Sequence, residues 1–210
     1  MLVVNYLDYS FIEWENEPSL VLYTIGCNLR CIYCFNWKLA TGELPEEMKT
    51  SLDKIVSKII NSKTKCLAIT GGEPTIQPDI VQFIGFLTKH GFKVKIETNG
   101  TNPNILGQLL RFKDNVHIQL DIKAPFFGDY YYFVTGKDCL KEIRKSLKIV
   151  RKFPRYTLRC IVYKPVFNED IVREMKREIP ELEFAEYIET DCPFCPKGMK
   201  LEPLNVRDND

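Results

Sequence analysis

The chain is poor in several things, and each shortage closes off a class of function. It has two histidines in 210 residues, His90 and His117, too few for a histidine-rich metal centre. No run of eighteen apolar residues occurs, so no membrane-spanning helix is expected. Neither sign of charge dominates: 29 basic and 28 acidic residues leave a formal net charge of +1, so a nucleic-acid partner is not expected. The opening Met1-Leu2-Val3-Val4-Asn5-Tyr6 lacks a basic flank and a cleavage site, so a secretory leader is not expected either. No internal repeat or low-complexity tract stands out. What remains is 45% apolar, enough for one domain with a sizeable core.

Cysteine, by contrast, is abundant. Eight are present, and three crowd into eight residues: Cys27, Cys31 and Cys34. That crowding suits a metal better than a disulfide framework, and a reducing cytoplasm is the expected compartment. Three thiolates at this spacing can hold three irons of a cubane cluster, leaving the fourth iron open. An open position separates a reactive site from a closed structural one. The alternative is a zinc knuckle, but zinc would want a fourth ligand nearby, and neither histidine is suitably spaced.

Elements alternate along the chain. Apolar strand patterns cover 3–9, 20–25, 66–70, 92–97, 116–122, 157–163 and 182–188. Helical patterns cover 51–61, a stretch from Pro78 to near Gly91, 103–112, 140–150 and 169–178. Such alternation predicts an α/β fold with a parallel sheet and outer helices. About six repeats are visible, fewer than the eight of a closed barrel. Residues 1–190 are expected to form one core domain, and 191–210 an irregular tail.

Four further features stand on or at the ends of predicted strands. Gly71-Gly72-Glu73-Pro74 follows the third strand, where paired glycines let backbone approach a ligand. The alternative is an ordinary strand-to-helix turn. Glu97-Thr98-Asn99-Gly100 ends the next strand; the alternative there is a polar Asn-Gly turn. Asp121 and Lys123 sit two apart and so share one strand face, to meet a ligand or each other. Arg159 interrupts an otherwise apolar strand, which is unusual unless the charge is paired.

Taken together, Cys27-x3-Cys31-x2-Cys34 with Tyr33 before the last cysteine, then Gly71-Gly72-Glu73-Pro74, resemble the radical S-adenosylmethionine (SAM) superfamily. The resemblance covers about 20–190 and is nearest to the glycyl radical enzyme activases, in particular those of anaerobic ribonucleoside-triphosphate reductase. It implies a partial (β/α)6 TIM-like barrel. It implies a [4Fe-4S] cluster on Cys27, Cys31 and Cys34 and SAM bound through its open iron. One-electron cleavage of SAM would give a 5′-deoxyadenosyl radical, which takes a hydrogen atom from a glycine of a partner enzyme.

The same resemblance implies roles for individual residues. Tyr33 would lie against the adenine, unless it merely fills core space. Gly71, Gly72 and Glu73 would meet the methionyl amino group. Glu97, Thr98 and Asn99 would lie near the ribose and carboxylate, with a monovalent cation conceivable near Glu97 and Asp121. Asp121 and Lys123 would sit at the SAM site, and Arg159 would take a carboxylate. The implied partners are a glycyl radical enzyme and a low-potential donor such as flavodoxin or ferredoxin. The rival readings are a small-molecule or peptide-modifying enzyme resembling 7-carboxy-7-deazaguanine synthase, an iron–sulfur electron carrier, and a zinc-binding module. Cys66, Cys139 and Cys160 lie on regular elements and are expected to be buried structural thiols. Cys192 and Cys195 in the tail could be a redox pair, metal ligands or loop residues, and are expected to stand clear of the cluster.

Overall fold

The computed structural model describes residues 2–14, 17–187 and 191–194, with the side chains of 2–5 left aside. Its centre is one eight-stranded sheet, ordered β3-β1-β2-β4-β5-β6-β7-β8. The strands are β1 (Leu2–Ser10), β2 (Ser19–Thr24), β3 (Thr50–Ser51), β4 (Cys66–Gly71), β5 (Lys93–Thr98), β6 (Val116–Asp121), β7 (Tyr156–Val162) and β8 (Glu183–Glu186). From β2 through β8 every neighbouring pair is parallel. These six strands form the open, partial (β/α)6 barrel. The first strand departs from expectation: β1 runs antiparallel to both β2 and β3.

Helices connect the parallel strands: α2 (Leu52–Ile60), α3 (Ile80–Lys89), α4 (Pro103–Leu109), α6 (Leu140–Val150) and α7 (Glu169–Glu178). Their apolar stripes pack on the sheet, as amphipathic sequences dictate. Sequence patterns at 140–150 and 169–178 match α6 and α7. Asn168 caps α7, its side-chain oxygen accepting from Ile171 N at 2.9 Å. Pattern at 103–112 divides: α4 stops at Leu109 and a 3-10 turn, Leu110–Phe112, completes it. Two short helices are new, α1 (Trp37–Thr41) and α5 (Tyr130–Thr135).

Alternation along the inner strands sets up the site. On β5 and β6, Val94, Ile96, Ile118 and Leu120 are fully buried in the core. Their neighbours Lys95, Glu97, His117, Gln119 and Asp121 line the cavity instead. The barrel is therefore apolar toward its helices and polar toward its lumen.

Candidate functional site

The cysteine loop follows β2 and is held by its backbone. Gly26 N donates to Leu39 O at 2.8 Å and Cys27 N to Ala40 O at 3.0 Å, so α1 braces one side. Arg30 N and Ile32 N donate to Thr135 O and Val134 O, at 2.9 and 3.0 Å, so α5 braces the other. Within the loop, Cys34 N donates to Cys31 O at 3.0 Å. The Arg30 guanidinium donates to the carbonyls of Cys27 and Leu29, both at 2.8 Å.

Gly71 and Gly72 press against this loop. Gly71 has φ of +104°, and an added Cβ would lie 2.6 Å from Thr24 backbone atoms. A Cβ on Gly72 would fall 1.9 Å from Gly26 O. Only glycine leaves that space free. Glu73 N then donates to Gly26 O at 2.8 Å, tying the end of β4 to the loop.

The Glu73 side chain is a strut. Oε1 accepts from Thr75 N, Thr75 Oγ1 and Thr98 Oγ1 at 3.0, 2.5 and 2.6 Å, and Oε2 from Asn99 N at 2.7 Å. Burial raises its pKa while those donors oppose the rise. The carboxylate thus joins β4 to β5 and is committed to its neighbours. Asn99 in turn donates to Asn28 Oδ1 at 3.0 Å, with its Nδ2 3.7 Å from Cys27 Sγ.

Burial raises the pKa of all three loop thiols. Cys31 is pushed up to about 12 and Cys34 to about 11, and Cys27 is raised as well. Metal coordination is what stabilises the thiolate in such surroundings. Among the described residues, no three His, Cys, Asp or Glu side chains group as ligands of a single metal ion. Thiolates that each bind a different iron of a cubane need no such convergence. An all-thiol donor set on a loop held by its own backbone fits an iron–sulfur cluster.

Tyr33 is built into packing. It is buried, its hydroxyl donates to Lys123 O at 2.5 Å, and its ring lies 5.6 Å from that of Tyr163 at 34°. Phe167 and Tyr187 meet it edge-on at 6.4 and 6.3 Å. Tyr33 also lines the cavity, beside Cys31 and Cys34.

Further along the lumen, the charges pair. Lys123 Nζ lies 2.9 Å from Asp121 Oδ2, and Arg159 Nε 3.2 Å from Asp121 Oδ1. Arg159 also reaches Glu97 Oε2 at 3.7 Å, while Thr70 Oγ1 donates to the same oxygen at 2.7 Å. Burial would raise Asp121, but the Lys123 and Arg159 charges hold it below its usual value. The opposite holds for Lys123, which burial would lower and Asp121 raises.

Beyond these lies a part of the lumen that the sequence motifs did not point to. Lys95 Nζ sits 3.6 Å from Glu97 Oε1 and 3.7 Å from Glu13 Oε2, in the loop after β1. Burial, with Glu97 second, lifts Glu13 to about 7. His117 stacks edge-on against Trp14 at 6.0 Å and is lowered to about 4, by burial first and Lys95 second. A signal did exist: 95 and 117 fall on the same strand faces as 97, 119 and 121.

One cavity of about 1110 Å³ joins both parts, from Cys27 and Gly72 to Trp14 and His117. Pockets for one small ligand commonly span roughly 300–1,000 Å³, so there is room for a cofactor and a substrate group together. The sequence profile of the radical SAM superfamily matches residues 21–179.

The chain belongs to the radical SAM superfamily.

As a radical SAM enzyme it uses a [4Fe-4S] cluster and SAM. It is 33% identical over 151 residues to "Putative glycyl-radical enzyme activating enzyme" of Methanocaldococcus jannaschii, covering 71% of this chain. That match spans 61% of the relative's own length. It is 30% identical over 181 residues to 7-carboxy-7-deazaguanine synthase of Clostridium acetobutylicum, covering 77% of this chain and 80% of the relative. Among solved structures, native anSMEcpe with bound AdoMet superposes with a TM-score of 0.61 at 18% identity, over 79% of this chain and 50% of that one. This last likeness concerns the fold. Among the described residues, no helix is long and apolar enough to cross a membrane.

The structure also places the other cysteines. Cys66, Cys139 and Cys160 are buried on or beside regular elements, as expected. Cys192 does not stand clear of the loop. It is buried, and its thiol donates to Cys31 O at 3.6 Å. Cys195 lies outside the described residues.

Proposed function

We propose that this radical SAM enzyme is an activase, generating a glycyl radical on a partner enzyme, with an anaerobic ribonucleotide reductase as the candidate partner. The observation that carries this reading is the likeness to a glycyl-radical activating enzyme, 33% identical over 71% of this chain. In the lumen Glu13, Glu97 and Asp121 face Lys95, Lys123 and Arg159, and each of these three cations lies within 4 Å of a carboxylate. Arg155 lines the same cavity with no carboxylate that near among the described residues.

In this proposal Cys27, Cys31 and Cys34 hold the cluster. Backbone at Gly71 and Gly72, with Thr98 and Asn99, meets the methionyl and ribose parts of SAM. Arg159, the most exposed of those three paired cations, takes the SAM carboxylate. Glu97 and Asp121 hold Arg159 and Lys123 in place, Glu73 fixes the β4–β5 corner, and Tyr33 backs the loop. When bound, the cluster and SAM together supply a 5′-deoxyadenosyl radical by one-electron cleavage. The chain's own contribution is to fix position and to keep water from the lumen, which a docked protein substrate would help to close. A flavodoxin or ferredoxin is the proposed electron source.

The test is anaerobic. Reconstituted protein, dithionite and SAM are mixed with the glycyl radical enzyme encoded by the same organism. The reading expects a glycyl radical EPR doublet on the partner, lost when its radical-site glycine is replaced by alanine. SAM cleavage with no radical on any such partner would refute it. A second reading, a small-molecule enzyme like 7-carboxy-7-deazaguanine synthase, is favoured by the 80% coverage of that relative. It would then gain the field.

A further inference from the structure

Residues 191–194 make three contacts with the cysteine loop and the helix that follows it, more than 150 residues away in sequence. Asp191 Oδ1 accepts from Trp37 Nε1 at 3.0 Å, just past the loop. The buried Cys192 thiol donates to Cys31 O at 3.6 Å, the same oxygen that accepts from Cys34 N. Phe194 lies 5.8 Å from the Arg30 guanidinium, ring centroid to central carbon. Arg30 is itself the brace of the loop, through the carbonyls of Cys27 and Leu29.

Each contact therefore falls on a group that shapes the loop: its turn oxygen, its arginine brace and the helix that follows it. None of the cavity's described lining comes from residues 191–194. The segment touches the loop from outside the lumen, where it could not compete with SAM. Burial of a thiol against a backbone carbonyl also excludes water there, and solvent exposure is one of the factors that govern an iron–sulfur cluster.

We infer that residues 191–194 are a clasp, with Cys192, Asp191 and Phe194 as positioning residues that hold the cysteine loop in its cluster-binding shape. The role is not that of a fourth ligand. It needs the cluster but not the activase assignment, so failure of one leaves the other untouched.

The test uses the full chain, reconstituted anaerobically, and follows transfer of iron to a chelator. In the combined Trp37→Phe, Cys192→Ala, Phe194→Ala protein, iron should leave at least roughly fivefold faster than in wild type, on the scale of one or two lost hydrogen bonds. The cluster-free proteins should melt within about 3 °C of one another, since the clasp acts on the loop rather than on the core. Cys192→Ser, which keeps a donor, should release iron more slowly than Cys192→Ala. Equal release by wild type and the combined variant would overturn the inference. So would a larger fall in cluster-free melting temperature, which would mark a general structural role. Equal release by the serine and alanine variants would remove Cys192 from the clasp.

Discussion

The cysteine loop and the charged wall of the barrel face one cavity and are held by opposite means. The loop is fixed by backbone: seven main-chain atoms between Gly26 and Cys34 take part in the main-chain to main-chain bonds described above, and glycines admit the close approach. The wall is fixed by side chains, with three acids paired to three bases on β5, on β7, at the end of β6 and just past it, and in the loop after β1. A backbone-held loop keeps its shape whatever the protonation state of its surroundings. A wall of ion pairs is sensitive to the loss of any one partner and to pH. The cysteine-loop end of the cavity is thus rigid by geometry, and the far end is tunable by charge.

Removing a wall charge should have the largest effect. Asp121→Ala would leave both Lys123 and Arg159 without their shared carboxylate, at a cost of about 3 kcal/mol or more. Urea unfolding of the cluster-free chain measures it, and an unchanged midpoint would mean that the wall is not held by charge. SAM affinity of the loaded protein should fall as well, since Lys123 and Arg159 would lose their orientation.

Next comes the loop. Gly72→Ala places a methyl group where Gly26 O already stands, and overpacking of this kind costs about 1–3 kcal/mol. Because the strain falls on the cysteine loop, iron content after reconstitution should drop more than stability does. If the alanine protein takes up iron normally, backbone approach is not what shapes the loop.

A smaller effect separates the two regions by pH. Glu13 is lifted from 4.5 to about 7 by burial and by Glu97, so between those values the folded chain keeps a proton that the unfolded chain has released. Its contribution is complete below pH 4.5 and lost as pH rises toward 7. Wild type minus Glu13→Gln stability should therefore decline over that interval, by about 1 kcal/mol once screening of a partly exposed group is allowed for. His117 titrates in the opposite sense, with a folded value near 4, but it is common to both proteins and cancels. A flat difference would place Glu13 outside the wall.

The smallest effect belongs to a thiol away from both regions. Cys139→Ala should keep full iron content and lose about 1 kcal/mol or less of packing.

The same division explains what could be read from sequence. The loop is local: three cysteines and, 37 residues past Cys34, the glycine pair announce it in short runs. Helices α6 and α7 were legible because their apolar residues repeat at helical spacing. Helices α1 and α5 are five and six residues long and rich in aromatic or mixed side chains, so no period forms. The wall was half legible. Asp121, Lys123 and Arg159 stood out as charges in apolar strands, but Lys95 and His117 did not, although strand alternation puts them on the same inner face. Glu13 lies in a loop, and the Cys192 contact joins residues 161 apart, a pairing that no local pattern carries. Nor did the sequence show that Glu73 would accept four hydrogen bonds across β4 and β5, or that Tyr33 would pack among three other rings.

The central claim is that three thiols, and only these three, hold a cluster that cleaves SAM. The direct measurement is iron, sulfide and 5′-deoxyadenosine per chain after anaerobic reconstitution, with dithionite and SAM, for wild type and for Cys27→Ala, Cys31→Ala and Cys34→Ala. Wild type should carry about four irons and four sulfides and form 5′-deoxyadenosine, and each variant should form none, because a three-thiolate site has no spare ligand. A wild-type chain that binds zinc in place of iron, or single variants that keep a full cluster and full cleavage, would contradict the account.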